Sequence, residues 1–351
     1  MTEKDYSGAT TSKIGKNAKT NANPKNNKLN TRTKEIETSK NLGSLGKEVK
    51  KKEDSNIIEN YRKAGHISKQ VREYAKSIIK PDMFLVDIAE KIEAKIIELG
   101  AEVAFPINLG IDDIAAHYTP ILGDDKKASG LLKVDIGTSV EGYISDFAFS
   151  LDLTSEKKYT KLIEASELAL KKAVEEVKKN KEKSTLSGIG KAIQNAIESY
   201  GFSPVKNLSG HGLDVYDVHS GLTIPNYESK SEKELGEGAF AIEPFATAGN
   251  GIVYDGAGGS IFHITRSGQV RDSFARQVLE FILDEKKTLP FSKREIQKKF
   301  GTRGLLALRN LEQAGIINEF SQLVEESHSP ISQAEVSLII FDGQVEVLMG
   351  D

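Results

Sequence analysis

Hydrophobic positions recur every three or four residues from Ile57 to Lys80, through Ile58, Tyr61, Ala64, Val71, Ala75 and Ile78. That spacing predicts a helix stopped by Pro81. A second helix is predicted over Leu85–Leu99 (Leu85, Ile88, Ile92, Ile96), closed by Gly100. The segment 105–120, FPINLGIDDIAAHYTP, reads as a short loop-and-strand unit carrying His117. Lys133–Ile136 and Tyr143–Phe147 read as strands around the turn-prone Gly137–Gly142. Helical spacing returns over Thr154–Asn180, capped by Thr154 or Ser155, and over Ser184–Tyr200, ending at Gly201. Next come 207–221, NLSGHGLDVYDVHSG, and 238–247, GAFAIEPFAT, the latter a strand with Glu243 among its apolar residues.

The order is helix, helix, acid-bearing strands, then helix, helix, strands with His and Glu. Two similarly ordered halves predict an α+β fold with pseudo-twofold halves and a site between them. The halves share no sequence identity, so the order of elements alone carries this. Residues 273–327 interrupt the second half with three short helices, Phe274–Lys286, Lys293–Phe300 and Arg303–Ala314. They resemble a winged-helix unit, but Arg303–Gly315 offers only Arg303 and Arg309 where a recognition helix is basic, so the block reads as a structural insert. Gln333–Met349 resumes strand alternation, with a turn at Phe341-Asp342-Gly343 and Glu335 near its start. Residues 1–55 are rich in Lys, Asn, Thr and Ser without apolar period and read as a disordered tail, leaving 56–351 for the main domain.

Composition narrows the chemistry. A net charge of −3 over 351 residues gives no global pull toward nucleic acid or membrane. With no cysteine, disulfides and thiolate metal sites are excluded, and any metal must be held by oxygen and imidazole. No apolar run approaches the ~20 residues of a membrane span. The expected location is the cytoplasm.

The anomalies are carboxylates inside apolar strands. In the 133–147 hairpin, a loop centred on Val140-Glu141 would set Asp135 opposite Asp146, and one centred a residue later would make them diagonal neighbours. Either way they share a sheet face, where like charges repel. Such pairs persist when a proton is shared or a cation lies between. As an ordinary hairpin the two would be surface acids. Adding His211, Glu243 and Glu335 gives four carboxylates and one imidazole on or beside strands. Four converging negative charges are untenable without compensation, and they suit two divalent first-row cations, which lower the pKa of bound water. His117 and His219 remain with glycine-rich or polar neighbours, while His66, His263 and His328 are read as structural.

Together AFPINLGIDDIAAHYTP, LKVDIGTSVEGYISDFA, SGHGLDVYDVHSG and FAIEPFATAGNG resemble methionine aminopeptidases of the type II class, above all the archaeal members. The likeness runs from about Ile57 to Asp351. It implies the pita-bread fold, with 273–327 as the type II insert. It also implies two divalent ions (Fe, Mn, Co or Zn) and removal of the N-terminal methionine from nascent peptides with a small second residue. Asp135 would then be a terminal ligand of one ion, with His211 and Glu243 completing the other. Asp146 and Glu335 would bridge both. His117 and His219 would contact substrate, Glu243 would also shuttle protons, and Phe105, Phe245 and Phe320 would line the methionine pocket. A monomer is expected; the lysine-rich tail reads first as a solvated leader and, as the alternative, as a polybasic arm that contacts the ribosome. One departure stands out: the family's Phe-Glu-His-Thr run around its last ligand is here Ala334-Glu335-Val336-Ser337. An Xaa-Pro peptidase of the same fold is a rival, although it usually carries a separate N-terminal domain that the tail could not form. A non-catalytic ribosome- or nucleic-acid-binding scaffold is another, although all five ligands are present.

Overall fold

The computed structural model describes the backbone of residues 32–350 and the side chains of residues 55–350. The fold lies in Asp54–Asp351, a unit separate from Met1–Glu53. The expected tail falls outside the described side chains, and over 1–31 outside the described backbone. Helix α1 is Arg32–Ile78, so helix begins well before Ile57, the first residue of the apolar period. Helix α2 (Leu85–Glu98) follows, then strands β1 (Glu102–Ile111), β2 (Ile114–Ala116), β3 (Leu131–Val140) and β4 (Tyr143–Asp152). The next pair is α3 (Thr160–Asn180) and α4 (Leu186–Ser199). Strands β5 (Ser203–Pro204), β6 (Ser209–Asp214), β7 (Asp217–Pro225), β8 (Gly238–Ile242), β9 (Phe245–Thr247) and β10 (Val253–Ile264) complete the second half. The insert region brings α5 (Ser273–Lys286), β11 (Phe291–Ser292), α6 (Lys293–Gln313) and β12 (Ile317–Glu325). Strands β13 (Ile331–Gln333), β14 (Glu335–Phe341) and β15 (Gln344–Val347) end the chain.

Eight strands form the main sheet in the order β1-β3-β4-β14-β8-β6-β7, with β15 beside β14. The first half supplies one side and the second half the other, meeting where β4 abuts β14. One face is covered by helices. Val71, Ile88, Ile92 and Ile96 of α1 and α2 pack on Val134, Ile136, Phe147 and Phe149. Ala165, Ala169, Ile189 and Ile193 of α3 and α4 pack on Ile242, Leu338 and Ile340. Burying these side chains stabilises by roughly 1.5–3 kcal/mol for each large one. The opposite face is left for chemistry.

Local physics adjusts several predicted boundaries. The cap expected at Thr154 or Ser155 is absent, because Asp152 accepts from the Thr154 and Tyr159 N–H groups and ties 152–159 into a turn. Helix α3 therefore starts at Thr160 without a side-chain cap, whereas α4 is capped by Thr185 accepting from Gly188 N–H. The three-helix insert is present as expected: α5, then two helical segments that make up α6 and break at Gly301, which takes φ 63° and ψ −157°. Its last part is not helical, since Ile317–Glu325 is a strand. That strand belongs to a four-stranded sheet, β11-β10-β12-β2, and Phe262, Leu279, Phe291, Leu308 and Leu311 form the insert's own core.

Candidate metal centre

The β3–β4 hairpin sets the site. Its loop is Glu141-Gly142, with Val140 paired to Tyr143, and both loop residues have positive φ (53° and 85°). Two-residue hairpins require this conformation at both centres, and a β-branched Val140 in the loop would resist it. The later-centred register therefore wins. Asp135 pairs with Ala148 and Asp146 with Gly137, which makes the two acids diagonal neighbours on one face. Gly137 has its own reason: a Cβ there would lie 2.3 Å from the Phe105 ring.

Each neighbouring strand adds one group to that face, following the sheet order. Asp135 is on β3, Asp146 on β4, Glu335 on β14, His211 on β6 and His219 on β7. Glu243 sits just beyond β8, and not inside a strand as expected. Pro244 has no N–H for the ladder, so the chain breaks between β8 and β9 at this residue. All ten residues singled out in the sequence (Phe105, His117, Asp135, Asp146, His211, His219, Glu243, Phe245, Phe320 and Glu335) line one cavity of about 520 Å³.

Potential donor atoms of Asp146, His211 and Glu335 all lie within 4.8 Å of one another. The His211 Nε2 is 3.8 Å from Asp146 Oδ2 and 3.7 Å from Glu243 Oε1. Its Nδ1 lies 3.2 Å from the Gly212 carbonyl, which can only accept, so the Nε2 lone pair is left facing the acids.

Among the described residues no cation neutralises the four carboxylates. The buried cations among the described residues are engaged elsewhere: Lys133 donates to the Asp112 carbonyl at 2.6 Å and Arg294 pairs with Glu93. Burial pushes the Asp135 carboxyl up to about 7. Burial and then the Asp135 charge raise Asp146 well above the carboxylate range. Glu243 is raised by burial, Asp135 and Asp146, and Glu335 by burial, Asp146 and Glu243. The imidazoles move the opposite way: burial and then His219 lower His211 to about 3 and His117 to about 4. The Oδ1 atoms of Asp135 and Asp146 are buried without a hydrogen-bond partner. Unpartnered buried carboxylate oxygens beside a neutral imidazole are the donor set that a hard or borderline divalent cation takes.

Three polar neighbours escaped sequence reading. Gln333 is buried, and its amide lies 3.4 Å from Glu335 and 3.5 Å from Glu243. It precedes Glu335 by two residues, so strand period was the available signal. Asn108, paired with Asp135 across β1 and β3, accepts the His117 N–H at 2.7 Å and steadies that residue at φ 64°. His263, read as structural, stacks on Phe320 with ring centroids 4.3 Å apart, and His117 lies on the same ring at 4.9 Å.

Within the Ala334-Glu335-Val336-Ser337 run, the departure at Val336 points away from the acids. Val336 faces away from Glu335 and joins the core beneath α1 and α2. Val336→His is expected to leave cation binding unchanged and to lower stability by about 1–3 kcal/mol, the usual cost of a poorly partnered buried polar group. Calorimetric cation titration and urea unfolding check this. Tighter cation binding by the variant would show that position 336 reaches the centre.

Comparison with known proteins agrees with the geometry. Residues 59–270 match the model of metallopeptidase family M24. The methionine aminopeptidase of Methanocaldococcus jannaschii is 40% identical over 296 residues, covering 83% of this chain and 98% of that protein. Methionine aminopeptidase 2 of Schizosaccharomyces pombe is 33% identical over 332 residues, covering 88% and 77% respectively. Among solved structures, a thermophilic Arx1 superposes with a TM-score of 0.71 at 14% identity, covering 84% of this chain and 91% of that one. The methionine aminopeptidase from Rickettsia prowazekii gives 0.58 at 19%, covering 84% and 98%. The structural likenesses speak for the fold alone, and they bear out the pita-bread architecture.

Proposed function

We propose, for a chain that belongs to metallopeptidase family M24, the removal of N-terminal methionine from nascent peptides whose second residue is small. The observation that supports it most is the convergence of four carboxylates, Asp146 and Glu335 buried and Asp135 and Glu243 half-buried, and of His211 on one wall of a cavity walled elsewhere by phenylalanines. In this reading Asp135, Asp146, His211, Glu243 and Glu335 would hold two divalent ions (Fe, Mn, Co or Zn), with Asp146 and Glu335 as the ligands that would serve both. Bound cations would supply charge neutralisation and activation of water at neutral pH.

The chain's own groups do the rest. Phe105, Phe245 and Phe320 accept the unbranched methionine side chain, whose thioether packs well on ring edges. His219 and His117 donate to or orient the scissile peptide, a contribution of a few kcal/mol for a donor aimed at developing negative charge. Glu243 receives a proton at its carboxylate and returns it to the leaving nitrogen.

Action in the cytoplasm as a monomer, ribosome contact by the tail, and the division into 1–55, 56–351 and an insert at 273–327 belong to the same proposal. Among the described residues no helix is long and apolar enough to cross a membrane.

The test combines elemental analysis of anaerobically purified protein with peptide assays. Two divalent ions per chain and release of methionine from Met-Ala-Ser are expected. Cleavage of Xaa-Pro peptides in preference would reassign the enzyme, and absence of both metal and turnover would make the chain a scaffold.

A further inference from the structure

The strands carrying Asp146 and Glu335 meet at the centre of the main sheet, and their backbone ladder is short. Glu335 opposes Ala148 and Val336 opposes Phe147, and there the pairing ends. Continued outward, that register would place Ser337 against Asp146 and Gln333 against Ser150. A serine hydroxyl mediates at each of these positions. The Asp146 N–H donates to Ser337 Oγ at 2.7 Å, and the same hydroxyl donates to the Asp146 carbonyl at 2.9 Å. At the other end the Gln333 N–H donates to Ser150 Oγ at 2.9 Å, and that hydroxyl donates to the Gln333 carbonyl at 2.8 Å.

Each strand thus lends one buried serine to the other, and each hydroxyl satisfies both main-chain groups of the residue opposite. An oxygen interposed between two backbones holds them farther apart than a direct N–H···O=C bond would. The strands are pinned at their middle and held open by a set amount at either end. Those ends carry the chemistry: the Asp146 carboxylate at one, and at the other the Gln333 amide that reaches Glu243 and Glu335.

We infer that Ser337 is a positioning residue, whose hydroxyl fixes the Asp146 main chain and so the spacing between the Asp146 and Glu335 carboxylates. The inference rests on the reading of these two as shared cation ligands. Ser337→Ala would remove the spacer and leave two buried backbone groups unpartnered. Ser337→Thr would keep the hydroxyl.

The test is calorimetric titration of the full-length, metal-stripped protein with Mn²⁺ and Co²⁺, with thermal unfolding recorded with and without the ion. Ser337→Ala is expected to weaken binding by about 10–100-fold, the usual effect of disturbing a residue that orients a ligand. It should also shrink the rise in Tm that the ion produces, since that rise follows affinity. Ser337→Thr should match the wild type in both. A structural serine would instead lower Tm equally with and without the ion at unchanged affinity, and that outcome overturns the inference. If Ser337→Ala does not fold, Ser337→Cys replaces it, because a thiol is a weak partner in either role. Equal affinities for the Thr and Cys variants would likewise overturn it. A wild type that binds neither ion would overturn the metal reading itself, and the inference with it.

Discussion

Glu243→Gln is expected to abolish methionine release while leaving the protein folded. The substitution keeps the shape of the side chain and removes its ability to take up a proton. General acid–base groups contribute typically 10²–10⁴-fold in rate, and at this position a cation ligand is weakened as well, so the loss should lie at or beyond the upper end. The fold should tolerate the change. Glu243 lies at the break between β8 and β9, outside the strand ladder. Its charge is opposed by Asp135 and Asp146, so neutralising it relieves repulsion in the metal-free state. Near-normal cleavage of Met-Ala-Ser by this variant, assayed at saturating metal, would refute the assigned role.

The second large effect concerns metal removal. Stripped of cations, the protein is expected to fall behind the loaded form in stability as pH rises. The folded-state pKa values of Asp135, Asp146, Glu243 and Glu335 are raised, Asp135 to about 7. A carboxyl whose pKa is higher folded than unfolded contributes stability that is fully present below about pH 4 and lost as pH climbs through the folded value. Each proton so retained contributes a slope of about 1.4 kcal/mol per pH unit.

Two sets of groups run the other way. His117 and His211, lowered to about 4 and 3, make stability rise with pH up to the ordinary imidazole range. Lys133, lowered to about 7 by burial, makes it rise from there toward the ordinary lysine range. At pH 6 and above His117 and His211 are neutral in the folded protein whether stripped or loaded, and Lys133 lies outside the centre and affects both forms alike. The gap between stripped and loaded protein therefore isolates the carboxylates.

Much of this centre was legible before any coordinates, for a definite physical reason. Carboxylates inside apolar strands are costly wherever they occur, so Asp135, Asp146, Glu243 and Glu335 announced themselves one by one. What the sequence left open was geometry. The hairpin register hung on which two residues could take positive φ, and Glu141-Gly142 satisfies that where Val140 does not. The Glu243 position depended on Pro244 ending a ladder that the apolar pattern alone would continue. Gln333, Asn108 and His263 carry no anomaly in isolation, since a lone amide or imidazole in a strand is ordinary. Their importance arises only from which residues the sheet brings beside them. Helix α1 begins at Arg32, ahead of the apolar period from Ile57 on which the sequence reading of this helix rests.

The most direct test is thermal unfolding of chelator-treated and metal-loaded protein at a series of pH values from 6 to 8, across the value of about 7 to which Asp135 is raised. The two Tm values should draw steadily apart across the series, with the stripped form falling away as its buried acids are forced to ionise. Curves that stay parallel would mean that the four carboxylates tolerate one another without cations, and would contradict the dinuclear centre.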